Sequence, residues 1–538
     1  MFRHRLTVLV TVAALGVTVA ACGSDDSGSS DDSAGGGDAV ETTDGDAGSV
    51  TTDGASSPGT VDRDATLRIA YSVGPSRFDP HRASSSFDNT SLFLTYDRLV
   101  HQSPEAEAVP GLAESWEFND DGSVLSMKLR EGVTFHDGEP FNAEAVKANI
   151  ERGQTVEQSA IATELAVIEE VEVVDEFNIN LILDGDGASL PLVLSDRAGM
   201  MLSPAAFDNA DLDVAPVGAG MYTVTDYDQD ARIMYEAYPD YWDPDAVQAA
   251  AVEYLIQVDS VTRLNAIRSG QVDWTFVDPP QVSEAESAGL QLLEVPSLAF
   301  YHLQLNRSFE PFGDPLVRSA LNHAVNRDAI VEGLQLGLAE AAVQPFPAGY
   351  LAHDDSITTD LYAYDPELAR ELLAEAGYGD GLSFEVIVPT VPNITQLGEA
   401  VQAQLADVGI DMSIRAVQPS QTADIFYVQQ EGEALVSPWG GRPDPSQTLG
   451  LLYSDTGFSN PGRHTTPTFM DAFAATLEVQ SPDERAAALR AASKAVAEEA
   501  LDVILYFPTT PIVYTDEVSG VVGWLSGKPE FRGVGVAG

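Results

Sequence analysis

The chain has 538 residues, with 84 Asp and Glu against 27 Lys and Arg, a formal charge of −57. That balance repels nucleic acid and anionic membrane surfaces and sets both aside as partners. An apolar content of 44 % is ordinary for a globular protein, and the single cysteine excludes a disulfide framework, so stability must come from core burial.

The N-terminus reads as an address. Arg3, His4 and Arg5 precede an apolar run over residues 6–20. The run falls short of the roughly 20 residues a membrane-spanning helix needs and suits a signal-peptide core, expected at 1–21. It ends Val19-Ala20-Ala21-Cys22, which resembles the lipobox of bacterial lipoproteins, so Cys22 is expected to be lipidated. Ser, Gly, Asp and Thr follow, with no basic residue between 23 and 62. Such a segment buries too little apolar surface to offset its ordering entropy, and 22–64 is expected to be a lipidated cysteine and disordered acidic tether.

The remaining chain is too long for one core, so two or more packed lobes are expected. No later apolar run approaches spanning length, and no phosphate-binding glycine motif occurs. Residues 66–71 alternate like a strand. Residues 115–118 and 124–129 flank Asn119-Asp120-Asp121-Gly122, a hairpin turn, and 171–174 with 177–183 form a second hairpin. Asp314-Pro315, Asp365-Pro366 and Ser481-Pro482-Asp483-Glu484 are helix starts. The helix from Pro366 places Leu368, Leu372, Leu373 and Ala376 on one face and stops at Gly377; Val401, Leu405 and Val408 mark another, ending at Gly409 before a strand over 410–417. Repeated helix–strand units predict an α/β fold with mixed sheets.

A succession of local motifs resembles the family 5 solute-binding proteins of ABC importers. Phe78-Asp79-Pro80-His81, Tyr96-Asp97-Arg98-Leu99-Val100 and Leu112-Ala113-Glu114-Ser115-Trp116-Glu117 come first. The run Lys128-Leu129-Arg130-Glu131-Gly132-Val133-Thr134-Phe135-His136-Asp137-Gly138-Glu139-Pro140-Phe141 is the most diagnostic. Pro216-Val217-Gly218-Ala219-Gly220-Met221-Tyr222 follows, with Met221 where proline is usual. Arg318-Ser319-Ala320-Leu321-Asn322-His323-Ala324-Val325-Asn326-Arg327 resembles the helix that opens the second lobe. The resemblance implies a two-lobed periplasmic-binding-protein-like fold with a hinge between lobes. Lobe I would combine 65–105, 212–300 and 505–538, with an extra subdomain at 106–211, and lobe II would be 301–504. Connections near 295–306 and 501–507 would form the hinge, and closure would bury the ligand.

Catalytic and metal motifs are lacking. There is no G-x-S-x-G, no H-E-x-x-H and no catalytic cysteine, and the histidines share no ligand spacing, so no enzyme, cofactor or metal is expected. His136-Asp137 and Asp184-Gly185-Asp186-Gly187 read as turns. Tyr238, Tyr241 and Trp242 read as packing residues. Trp274 and Phe276 fall near the expected cleft edge and are candidate ligand contacts. The richest stretch is Ser437-Pro438-Trp439-Gly440-Gly441-Arg442-Pro443-Asp444, a Pro/Gly loop at a strand end, where binding groups commonly sit. Trp439, Gly440, Gly441, Arg442 and Asp444 are therefore candidate ligand-binding residues. In the peptide-binding relatives the third residue after the tryptophan is an aspartate that pairs with the ligand's ammonium; here it is Arg442. Arg442 either faces an acidic group of the ligand or pairs with Asp444.

The function implied is an extracytoplasmic lipoprotein, monomeric and anchored to the outer face of the cell membrane only through Cys22. It would capture peptides or peptide-like solutes, acidic ones included, for a permease and ATPase. The alternative is a ligand-sensing lipoprotein of the same fold without transport.

Overall fold

The computed structural model describes residues 61–538 except 84, 479 and 480. The signal peptide, Cys22 and all but the last four tether positions lie outside the described residues. Those last positions correct one expectation, because residues 61–64 pack on the C-terminal segment instead of belonging to a disordered tether. Val61 bridges Ala537, and the Asp62 backbone N–H donates to Val536 O at 2.9 Å.

Apolar alternation builds the first strand, Thr66–Tyr71, which buries Leu67 and Ile69 and pairs in parallel with Ala251–Ile256. That half of the main sheet continues through Arg232–Ala237 to Tyr222–Asp228 on one side and Trp274–Phe276 on the other. The second half runs from Ile410–Val417 through Leu382–Pro389 and Ala434–Trp439 to Phe300–Leu305. Its first three strands are parallel and the last is antiparallel, so the sheet is mixed. One strand, Val503–Tyr514, belongs to both halves. Its N-terminal part pairs with Phe300–Leu305 and its C-terminal part with Gln291–Pro296 and Trp274–Phe276. Each half has its own core, Leu67, Tyr254 and Trp274 in one and Leu303, Val386 and Leu505 in the other. The molecule is thus two-lobed and α/β. Among the described residues no helix is long and apolar enough to cross a membrane.

Both hairpins form, and together they make a four-stranded antiparallel sheet over a third core. The Asn119 side chain closes the first turn, its Oδ1 accepting the Val124 N–H at 3.0 Å. In the second, Val171 lies opposite Leu181, and Phe177 sits in the turn rather than the strand. The helix starts are observed: Asp314 accepts the Leu316 N–H, Asp365 accepts those of Glu367 and Leu368, and Ser481 with Glu484 forms a capping box. In Pro366–Glu375 the fully buried residues are Ala369 and Leu373; Leu373 belongs to the predicted stripe, whose other members Leu368, Leu372 and Ala376 are half-buried. The run from Arg318 to Arg327 is not one helix. Pro315–Ala324 ends there, and Asn326 caps a new helix, Arg327–Leu334. In the glycine loop, a Cβ at Gly218 would lie 2.1 Å from the Thr95 carbonyl oxygen, so no larger residue fits.

Candidate ligand cleft

Ala434–Trp439 is buried almost throughout and delivers the Trp439 loop to the edge of its sheet. Trp439 is itself a wall residue, 7 % exposed, its indole N–H donating to Thr448 Oγ1 at 3.1 Å. Gly441 has φ +69°, and a Cβ there would lie 2.9 Å from Leu298 Cβ, so glycine is required to turn the chain against the lobe connection. The Arg442 guanidinium then stands over the Trp439 ring, 4.9 Å from its centroid. One of its N–H groups donates to Gly441 O at 3.3 Å.

Asp444 is not free to meet either Arg442 or a ligand. It is 0 % exposed and caps Pro445–Tyr453, accepting from the Ser446 backbone at 2.9 Å and the Ser446 hydroxyl at 2.6 Å. Both of its oxygens lie 2.8 Å from Arg485 Nη2. The expectation that Asp444 binds ligand is corrected: it is a staple between two helices. The alternative in which it holds Arg442 fails as well.

Arg442 remains exposed to solvent, yet burial lowers its pKa from the ordinary value. Glu164 and Asp196 offset part of that lowering, and Arg197 adds to it. Solvent reaches the Arg442 side chain. The charged groups that act on it, Glu164, Asp196 and Arg197, belong to the 106–211 segment. Asp196 is buried and bound by Lys528 Nζ, by Asn89 Nδ2 and by the Arg197 backbone N–H at 2.8 Å. Burial works to raise the Asp196 pKa, and Lys528 and Arg197 overcome it, holding it below the usual carboxylate range. Glu164 is half-buried; burial and then Asp196 raise its pKa, while Arg197, Lys528 and Arg442 pull it back.

The two aromatic candidates lie elsewhere. Trp274 is 1 % exposed in the core of its lobe, edge-on to Phe531 at 5.2 Å, so the expectation of ligand contact there is corrected. Its strand pairs on both sides, with Ile69 and with Tyr514. Phe276 is half-buried between Tyr71 and the Arg263 guanidinium. Tyr241 and Trp242 both donate to Asp97 Oδ2, and Tyr238 donates to Phe135 O, so all three are packing residues. His136 is engaged by the backbone of Gly218 and Gly220. Among the described residues no group of three His, Cys, Asp or Glu side chains could hold a metal. Sequence reasoning missed Glu164, Asp196, Arg197 and Lys528. Lys528 carried a faint signal, as one of four lysines, whereas one glutamate in so acidic a chain carries none.

Two cores joined through a shared strand, with a glycine-turned loop presenting a cation to charges on other segments, define a two-lobed binding protein. The bacterial extracellular solute-binding proteins, family 5 Middle, match residues 107–460. The glutathione-binding protein GsiB of Pectobacterium atrosepticum is 29 % identical over 380 residues, covering 70 % of this chain and 73 % of that one. GsiB of Salmonella typhi is 30 % identical over 367 residues, covering 67 % and 71 %. Two solved structures are each 25 % identical. One, the Helicobacter pylori periplasmic binding protein DppA with the peptide STSA, has a TM-score of 0.73 and covers 88 % of this chain and 98 % of its own. The other, Brucella suis NikA with Fe(III)-EDTA, has a TM-score of 0.78 and covers 88 % and 100 %. The chain belongs to the family 5 extracellular solute-binding proteins. It is a solute-binding protein of an ABC importer and works outside the cytoplasm.

Proposed function

We propose that this chain captures peptide-like solutes bearing a carboxylate in the cleft beside the Trp439 loop and hands them to the importer. The observation that carries this reading is the state of Arg442. It is accessible, and no carboxylate lies within 4.0 Å of it among the described residues, since Asp444 is held by Arg485. A guanidinium keeps its charge and offers a planar fork of donors. Closing a cleft over it unpaired would be costly, and a solute carboxylate offsets that cost with a bidentate pair. Trp439 serves as the platform that orients the fork, and Gly440 and Gly441 leave the approach clear. The relatives named for glutathione and the related structure holding the peptide STSA support a peptide-like solute.

In this reading lobe I comprises 65–105, 212–300 and 505–538 with its subdomain at 106–211, lobe II comprises 301–504, and the monomer is tethered through lipidated Cys22. Isothermal titration with glutathione and with STSA tests the cleft. Arg442→Asp should cost about 2–5 kcal/mol of binding, and Arg442→Lys should recover only part. Affinities unchanged by Arg442→Asp would sink the assignment.

A further inference from the structure

The 301–504 part of the chain holds a cavity of about 280 Å³ whose lining includes Glu340, Val343, Phe346, His353, Asp355 and Ile357, and no residue of the Trp439 loop. Its floor is apolar, since Val343, Phe346 and Ile357 are buried. Its rim is acidic: Glu340 and Asp355 are exposed, and no Lys or Arg lines the space. The walls are fixed. Glu340 stands on the strand Ala339–Ala341, which pairs with 506–508 of the strand shared by both sheet halves. Gln344 is 2 % exposed, and its Nε2 donates to Asp354 O at 3.0 Å and Ile357 O at 2.9 Å. Its Oε1 accepts from the Asp354 backbone and the Ser493 hydroxyl. His353 is left unsatisfied. Its Nδ1–H donates to Phe346 O at 2.9 Å, so in the neutral ring Nε2 is an acceptor. The Gln344 nitrogen 3.3 Å away has already given both its N–H groups, and Asp355 Oδ1 at 3.8 Å is another acceptor. An acidic rim alone means little in a chain with 84 Asp and Glu, but here it is joined to an apolar floor and an imidazole acceptor.

We propose that this cavity is a second binding site, separate from the Trp439 cleft, and that it takes a small organic amine with an apolar body. The ammonium sits at the rim among Glu340, His353 Nε2 and Asp355, and the body packs on Val343, Phe346 and Ile357. An ammonium carries three donors and no acceptor, which matches a rim made of acceptors. A bare metal ion fits poorly, since no three His, Cys, Asp or Glu side chains among the described residues could hold one. A carboxylate would meet repulsion at the rim, so the site rejects the kind of group that suits Arg442. At interior packing density the space admits about ten non-hydrogen atoms, the size of an arylalkylamine. Phe346, itself packed on Tyr350 with ring centroids 5.7 Å apart, offers that ring an aromatic surface.

The test uses the full-length chain and a double variant, Glu340→Gln with Asp355→Asn, titrated with 2-phenylethylamine, 2-phenylethanol and 3-phenylpropionate. The three probes share a ring and differ in the charge of the head group. Wild type should bind the amine saturably below about 10 mM, the alcohol about fivefold more weakly, and the carboxylate not at all. The double variant should lose about fivefold for the amine and keep its affinity for the alcohol. Both substitutions are isosteric and at exposed residues, and an unchanged thermal midpoint will show that the fold is intact. Saturating glutathione should leave amine binding unchanged, because the cavity shares no residue with the Trp439 loop. The site is overturned if wild type shows no saturable amine binding, if amine and alcohol bind equally, or if the double variant keeps its amine affinity. Displacement of the amine by glutathione would overturn it too, by placing the amine in the cleft.

Discussion

Arg442 and Asp444 stand two residues apart, and their partners separate them. Asp444→Ala would remove a helix cap and strand the Arg485 guanidinium, which is 15 % exposed. We expect a loss of about 3–5 kcal/mol in denaturant unfolding, the range for breaking a buried ion pair. Arg442→Ala should stay within about 1 kcal/mol, as an exposed group without an ion pair. A larger loss for Arg442 than for Asp444 would reverse the assignment. Two histidines set the response to acid. Burial, and then the Arg152 charge, holds His81 down at about 4, and burial holds His136 at about 4, against the ordinary 6.5. His81 Nδ1 accepts from Arg152 Nη1 at 2.8 Å, which requires the neutral ring. As pH falls below about 6.5 the unfolded chain takes up these protons first, so the folded state loses stability from about 6.5 down to about 4. Each site contributes about 3 kcal/mol at most, at 1.36 kcal/mol per unit. Melting curves between pH 7 and 4.5 should show the decline, and His81→Gln should flatten part of it. A flat profile in the wild type would contradict the buried neutral rings.

At the scale of elements, the deciding piece is Val503–Tyr514. Its first residues pair with Phe300–Leu305 and its last with Gln291–Pro296, so the chain passes between the two sheet halves without a loop. The other connection, at 297–299, is short and held by a bond from Leu298 N–H to Leu525 O at 3.0 Å. Rotation concentrated at these two crossings would close the cleft as a hinge. Small-angle scattering from a chain starting at Val61 should give a smaller radius of gyration when saturated with a confirmed solute. No change on saturation would argue against hinge closure. The hairpins and helix caps were legible because turn and cap chemistry is local: Asn119, Asp314, Asp365 and Ser481 act within a few residues of themselves. The orientation of Trp274 was not, because which face of a short strand turns inward depends on what packs there, here Phe531 from far along the chain.

For the whole molecule, a net charge of −57 leaves cations scarce, and the structure spends most of them on internal pairs such as Arg98 with Glu530, Arg152 with Asp79 and Arg485 with Asp444. Arg442 is among the cations left outside these pairs and is accessible. Anchoring is tested at this scale too. Cys22→Ser should move the protein from the membrane fraction to the soluble fraction or the medium, and unchanged detergent partitioning would refute lipidation. What the sequence determined alone was the α/β class, the family through its ordered motifs, and the loop that carries Arg442, because each rests on residues adjacent in the chain. Only the tertiary structure decided that Asp444 belongs to Arg485 and that Trp274 is core. Those outcomes depend on which distant segments meet, and in a chain with 84 acidic residues no local pattern marks the carboxylate that a distant arginine will hold.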